Sequence, residues 1–285
     1  QTVWKIVLFL PVFCPTIGAH LNLLRSRSIT FMRNKDNIDH KNDTYKYNNN
    51  QINYRAGTSD MHEIKEILLK KGSSCEYWIP NSFIPESILD IGANIGITSI
   101  LFATKFPNST IHAFEPLKEN FNILKNNINN YPNITAHPYG LGNKDEHVKM
   151  YRSNNPHNFA AWSMYDQLDN VDPDPSNSTI IEIKDAHTVL SELGRNKFDL
   201  IKIDTEGAEY PIIKSIGDDT LINTKFITGE LHNNNDYEFL SYLKSLGFNI
   251  RTNIKLNKPH FTFYAISDSL LNQLTRAEIR AFNKL

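Results

Sequence analysis

Three carboxylates crowd into six residues of this chain, Asp204, Glu206 and Glu209 in D-T-E-G-A-E. Like charges at that spacing raise one another's proton affinity unless a cation sits among them. A sulfonium or amino group on a ligand, a metal ion, Lys202 or the N-terminus of the next helix could supply it. Gly207 permits a close turn, and a plainer role for Glu206 or Glu209 is to cap that helix. Glu230 and His232 stand one residue apart in E-L-H, either a base or metal pair or an ordinary polar strand end. A divalent metal at Asp204, Glu206 and Glu230 therefore stays open.

Glu115, in H-A-F-E-P, is the next candidate. It lies 23 residues after Gly92, near the spacing at which an acid accepts hydrogen bonds from ribose hydroxyls. A carboxylate suits a cis-diol because it offers an acceptor to each hydroxyl. A structural Glu at a strand end is the alternative. Upstream, the apolar run Ile88, Leu89 and Ile91 encloses Asp90 and is followed by Gly92, Asn94 and Gly96 at alternate positions. Strand, glycine turn and helix in that order open a nucleotide or nucleoside site. The dinucleotide spacing G-x-G-x-x-G is missing, which favours a ligand without pyrophosphate and argues against an NAD-linked oxidoreductase. His112, His137 and His147 read as structural.

These groups need elements that bring them to one edge. Strand-like runs at 87–91, 110–114, 134–138 and 198–203 alternate with helical periods at 95–105, 117–129 and 210–216. Phe226–Gly229 reads as a further strand and Tyr237–Leu246 as a helix closed by Gly247. Phe248–Arg251 and Phe261–Ile266 read as closing strands, paired antiparallel, ahead of a terminal helix. Added strands are expected at His147–Tyr151 and Ile180–Ile183, with a short helix at His187–Leu193. The carboxyl ends of parallel strands are where such sheets bind ligands, and the acids above fall there. Before the core, Ser59–Lys71 has helical spacing with Ser59 or Asp60 as cap, and Tyr77–Ile79 reads as a short strand. The Asn-rich stretch 34–53 reads as a loop or linker, and 154–178 as a long loop.

The 285 residues, 40% hydrophobic and 21% charged, suit one large α/β core with an appendage. A net charge of -1 gives no field for nucleic acid, so no nucleic-acid partner is expected. Two cysteines, Cys14 and Cys75, make no metal or redox spacing. Ile6–Ala19 is strongly apolar but holds Pro11 and Pro15 and is short for a span of about 20 residues. A truncated membrane anchor, a buried or monotopic segment and a signal-peptide remnant all remain readings of it. The compartment stays undecided between membrane-associated and cytoplasmic.

Taken together, ILDIGANIG (88–96), HAFEP (112–116), GLGN (140–143), LIKIDTEGAE (200–209) and ELH (230–232) resemble the FkbM-type S-adenosylmethionine-dependent methyltransferase family. The resemblance covers roughly residues 85–267, and LIKIDTEGAE is its specific part. It implies an α/β, Rossmann-like seven-stranded class I methyltransferase sheet with helices on both faces and the last strand antiparallel. The implied organisation is an N-terminal extension over 1–75 and a methyltransferase domain over 76–285. It implies S-adenosyl-L-methionine as cofactor, with Asp90, Gly92, Asn94 and Gly96 at the methionine side and Glu115 and Pro116 at the ribose. Leu141 would flank the adenine, and Asp204 would face cofactor and acceptor. The implied reaction is O-methylation of a sugar, glycan or glycan-like small molecule, with Asp204, Glu206 or His232 as base. The competing classes are a methyltransferase fold kept only for binding or scaffolding, the oxidoreductase, and a nucleic-acid methyltransferase.

Overall fold

The computed structural model describes residues 42–152, 162–163, 178–194, 197–232, 235–254 and 260–285. Strands β1 (Asn42–Tyr47) and β2 (Asn50–Arg55) form an antiparallel hairpin. Helix α1 (Asp60–Glu63) runs on as a π-helix over Ile64–Leu69. The core then alternates β3 (Ser87–Ile91), α2 (Ile97–Lys105), β4 (Thr110–Phe114), α3 (Lys118–Asn127) and β5 (Ile134–His137). Next come β6 (Gly140–Gly142), β7 (Glu146–Arg152), β8 (Trp162–Ser163), β9 (Ser178–Asp185) and α4 (Ala186–Glu192). Strand β10 (Leu200–Ile203), α5 (Glu209–Ile216), α6 (Asp218–Ile222), β11 (Phe226–Leu231) and α7 (Asp236–Ser245) follow. The described chain closes with β12 (Phe248–Asn253), β13 (Phe261–Ser267), α8 (Asp268–Leu271) and α9 (Arg276–Phe282).

The main sheet has seven strands in the order β12-β13-β11-β10-β3-β4-β5. All pairs from β11 to β5 are parallel, and β13 is antiparallel to both neighbours. The chain runs outward from β3 to β5, then restarts at β10 on the other side of β3. That reversal opens a crevice beyond the carboxyl ends of β3 and β10, where Gly92 and Asp204 stand. Alternate side chains feed two cores, because successive strand residues point to opposite faces. Ile88, Leu200 and Phe226 pack with Ile100, Phe102 and Leu124 on one face. Leu89, Ile201 and Ile227 pack with Val189, Ile212 and Phe239 on the other. The Rossmann-like sheet with helices on both faces is therefore present. A smaller sheet, β6-β9-β7-β8, carries apolar side chains beside the crevice.

Three local expectations fail. Residues 42–53 are not linker: Tyr45, Ile52 and Tyr54 of the hairpin are buried in the first core. Their alternation is hidden in sequence by asparagines, yet Asn48 supplies the turn with φ 52°, a conformation asparagine tolerates. Buried Asn127 holds the hairpin edge by accepting from the Asn53 N–H at 2.7 Å and donating to the Asn53 carbonyl at 3.0 Å. Tyr77–Ile79 is irregular rather than a strand, its three side chains buried against the core ahead of Pro80. Neither Ser59 nor Asp60 caps α1 by its side chain; Asp60, wholly buried, forks onto Arg55 at 2.8 and 2.9 Å and ties helix to hairpin. The apolar segment 6–19 and most of the 154–178 loop lie outside the described residues. Among the described residues, no helix is long and apolar enough to cross a membrane.

Candidate active site

The crevice is shaped by close backbone approach. A Cβ on Gly92 would lie 1.8 Å from the Asp204 carbonyl oxygen, and Gly92 has φ +79°, so only glycine fits. Gly229 meets the Ile203 carbonyl in the same way, at 1.7 Å. Gly96 serves packing: a Cβ there would press on Leu124 of α3 at 2.6 Å. Beneath the turn, Asp90 is fully buried, accepts from the Ser99 hydroxyl at 2.6 Å and pairs with Lys202 at 3.3 Å. Asp90 and Lys202 are register partners on β3 and β10, which explains the meeting. Lys202 also donates to the Gly92 carbonyl at 2.6 Å and stands 3.9 Å from Asp204. Burial works against its charge, but Asp90, Asp204 and Glu63 hold its pKa above the usual lysine value.

Glu115 emerges from β4 into a cavity that opens to solvent. Its carboxylate accepts from the main-chain N–H groups of Asn94 and Leu117, each at 2.9 Å, and from Asn120 at 3.4 Å. These bonds fasten the glycine turn, where Asn94 takes φ 48°. Burial pushes the Glu115 carboxyl up to about 7 even against those donors. Phe114, Pro116, Leu141, Met150 and Ile183 give the same cavity an apolar wall, and Asp204 and Glu206 close its far side.

The acidic corner centres on His232. Its Nδ1 lies 3.1 Å from Glu209 Oε1, and its Nε2 lies 3.4, 3.8 and 3.9 Å from Glu230, Asp204 and Glu206. Burial would lower its pKa, but Glu209, Glu230, Asp204 and Glu206 push it up to about 12. The surrounding carboxylates therefore favour the protonated form of the ring. Glu209 also accepts from the main chain of Thr205 and Gly207, at 3.0 and 3.1 Å, and so shapes the D-T-E-G turn. Glu206 sits in that turn with φ 57°, a strained value for a non-glycine residue. Burial and the neighbouring carboxylates push Glu206 up to about 7, although half its side chain meets solvent.

Of the residues singled out by sequence, Gly92, Glu115, Pro116, Leu141, Asp204 and Glu206 line this one cavity. Glu230 lines a second, polar cavity with His260, and His232 bridges the two groups. Asp90, Asn94 and Gly96 are not in the lining; they support the turn from behind. His137 stacks on Phe114 at 4.5 Å, with burial lowering it to about 4, as befits a packed neutral ring.

Sequence reasoning missed three partners. Tyr77 donates to Asp204 at 2.7 Å, and burial beside that carboxylate keeps the phenol protonated. Glu63 of α1 accepts from the Asn94 side chain, and burial raises its pKa well above the usual value. His260 reaches Glu230 at 3.6 Å. Each is separated in sequence from what it touches and carries no motif of its own, so only the fold reveals it.

"Methyltransferase 1" of Beauveria bassiana is 28% identical over 169 residues, covering 54% of this chain and 66% of that protein. The "AMB antimetabolite synthetase AmbE" of Pseudomonas aeruginosa is 25% identical over 179 residues, 52% of this chain but only 8% of its own length. Among solved structures, the Methanococcus jannaschii fibrillarin pre-rRNA processing protein has a TM-score of 0.44 and 14% identity, covering 82% of this chain and 86% of its own. The precorrin-6y C5,15-methyltransferase of Geobacter metallireducens gives 0.38 and 13%, covering 64% and 80%. Residues 90–250, more than half of the sequence, match the family described as "Methyltransferase FkbM domain", from the strand carrying Asp90 through the acidic corner, and the chain belongs to that family.

Proposed function

We propose that the protein transfers a methyl group from S-adenosyl-L-methionine to a hydroxyl of a sugar, glycan or glycan-like small molecule. The observation that carries this reading is one cavity with Glu115 at one end, an apolar wall along it and the Asp204–Glu206 corner at the other. The lining suits the cofactor by its chemistry. Glu115 offers acceptors to the ribose diol, Leu141 and Phe114 an apolar bed for the base, and Gly92 a bare backbone for the methionine arm. Bound there, the cofactor supplies an electrophilic methyl on a sulfonium. The chain orients the partners and receives the proton that the acceptor hydroxyl loses as its oxygen takes the methyl.

Glu206 is the best-placed base: its pKa is about 7, it is half exposed and it lines the cavity. Asp204 is already engaged by Tyr77 and Lys202, which suits a positioning role. His232 holds its proton too tightly to act as base in this state.

Calorimetric titration with S-adenosylhomocysteine, and with NAD as the competitor class, tests the pocket; absence of homocysteine-nucleoside binding removes this reading. Turnover is then followed with labelled S-adenosylmethionine against a panel of monosaccharides, methyl glycosides, amines and thiols. Glu206→Gln should lower turnover about 100-fold with little change in S-adenosylhomocysteine affinity. Methylation of amines or thiols alone would overturn the hydroxyl assignment.

A further inference from the structure

We infer that the junction between the two cavities is a transition-metal site, with Glu230, His232 and His260 as its protein ligands, the metal taking the place of the proton on His232 Nε2, which is released to solvent on binding. The inference deepens the proposed function, since a cation there would meet an acceptor lying in the polar cavity. The three residues each present a ligand atom, all within 4.8 Å of one another. Their convergence follows from the sheet. Leu231 pairs with Phe261 in the antiparallel β11–β13 ladder, so His232 and His260 fall opposite each other just past its end. Glu230, two residues before His232, projects to the same side. The two imidazole rings stand 5.5 Å apart.

Negative charge gathers around His232. Asp204, Glu206, Glu209 and Glu230 all reach the single His232 ring within 3.9 Å. Lys202, 3.9 Å from Asp204, is already paired with Asp90. On the other side of the ring, Glu209 Oε1 holds the His232 Nδ1 at 3.1 Å, which leaves Nε2 facing Glu230; a carboxylate behind the ring in this way is the usual support of a metal-ligating imidazole. Asp204, Glu209 and His232 form a second convergent set on that side, so His232 is common to both.

Two imidazoles and carboxylates select the metal. Imidazole suits Zn²⁺ and its first-row neighbours, whereas Mg²⁺ and Ca²⁺ take oxygen ligands. Three protein ligands leave a coordination position open, as in reactive rather than structural zinc sites. The polar cavity bordered by His62, Glu66, Ser74, Glu230 and His260 gives an acceptor hydroxyl access to that position.

The test uses the full chain, freed of metal by chelator and titrated calorimetrically with Zn²⁺, and separately with Mg²⁺. One Zn²⁺ should bind saturably, and Mg²⁺ far more weakly. His260→Ala and Glu230→Gln should each weaken Zn²⁺ about tenfold or more, with His260→Gln as a second variant in case the alanine form does not fold. Co²⁺ should give a visible absorption band that the same variants lose. No saturable Zn²⁺ binding, or binding indifferent to both residues, overturns the site. S-adenosylhomocysteine titrated into the metal-free protein separates the two readings: its binding with no Zn²⁺ site sinks only this inference, and its absence sinks only the cofactor assignment.

Discussion

The Tyr77 hydroxyl donates a 2.7 Å hydrogen bond to Asp204 Oδ2, joining a segment ahead of the first core strand to the acidic corner after β10. Both partners are fixed from behind, Tyr77 by burial and Asp204 by Lys202. Removing only the hydroxyl in Tyr77→Phe should leave the fold intact and free Asp204 to rotate. A hydrogen bond to a charged group contributes roughly 1.5–3 kcal/mol, so turnover should fall about tenfold or more. S-adenosylhomocysteine affinity should hardly change. An equal loss of affinity and turnover would mean that Tyr77 serves the cofactor rather than Asp204.

Lys202 and Asp90 are a buried ion pair, their side chains 3% and 0% exposed. Lys202→Met should strand Asp90 without its counter-charge. Breaking such a pair from one side typically costs about 3–5 kcal/mol, and urea denaturation would read that loss directly. The double variant Lys202→Met with Asp90→Asn should recover part of it. A single variant as stable as the parent would show that the pair contributes nothing.

Glu115 should make cofactor binding depend on pH. Burial sets its carboxyl near 7, and ribose hydroxyls donate more strongly to the ionised form. Binding therefore favours loss of the proton, and S-adenosylhomocysteine should bind more tightly as pH rises from 6 to 8. Glu115→Gln should weaken binding roughly tenfold or more and flatten that dependence. Calorimetry at three pH values decides it; a flat profile in the unmodified protein would separate Glu115 from the ribose.

At the far end of the molecule, Glu278 accepts from the Ser82 main chain and hydroxyl, both at 2.8 Å, and completes a capping box with Thr275 on α9. Slight burial works against its charge, but these donors hold its pKa down to about 2, against 4.5 for an ordinary glutamate. The lowered value means the unfolded chain takes up the proton first. The stabilisation is present in full above about pH 4.5 and is lost as pH falls through about 2. Melting temperature measured from pH 5 to pH 2 should fall more steeply in the parent than in Glu278→Gln. Parallel curves would show that the cap is energetically silent.

How much of this was legible beforehand depends on the range of the signal. The turn at Gly92–Gly96, the acid at 115 and the D-T-E-G-A-E corner were readable because each is a local pattern at a strand end. So were the seven strands, whose apolar runs are short and separated by clear turns. The hairpin at 42–55 was not, since its alternation of Tyr45, Ile52 and Tyr54 is diluted by asparagine. Gly229 looked like an ordinary strand residue; its need for a missing side chain comes from the Ile203 carbonyl on the neighbouring strand. Asp90 is buried against Lys202 one strand away, a partner that its position in the motif does not reveal. Tyr77, Glu63 and His260 act through contacts across the fold, and no spacing rule reaches that far.

The place of β13 has a practical consequence. This strand, residues 261–267, is inserted between β11 and β12 although it follows both in the chain. A fragment cut to the family span of 90–250 would lose it, leaving an unpaired interior edge on β11 and no neighbour for what remains of β12. The same trimming would discard Tyr77 and His260. Any trimmed version should keep the hairpin, Tyr77 and β13, because an unpaired β11 edge favours aggregation.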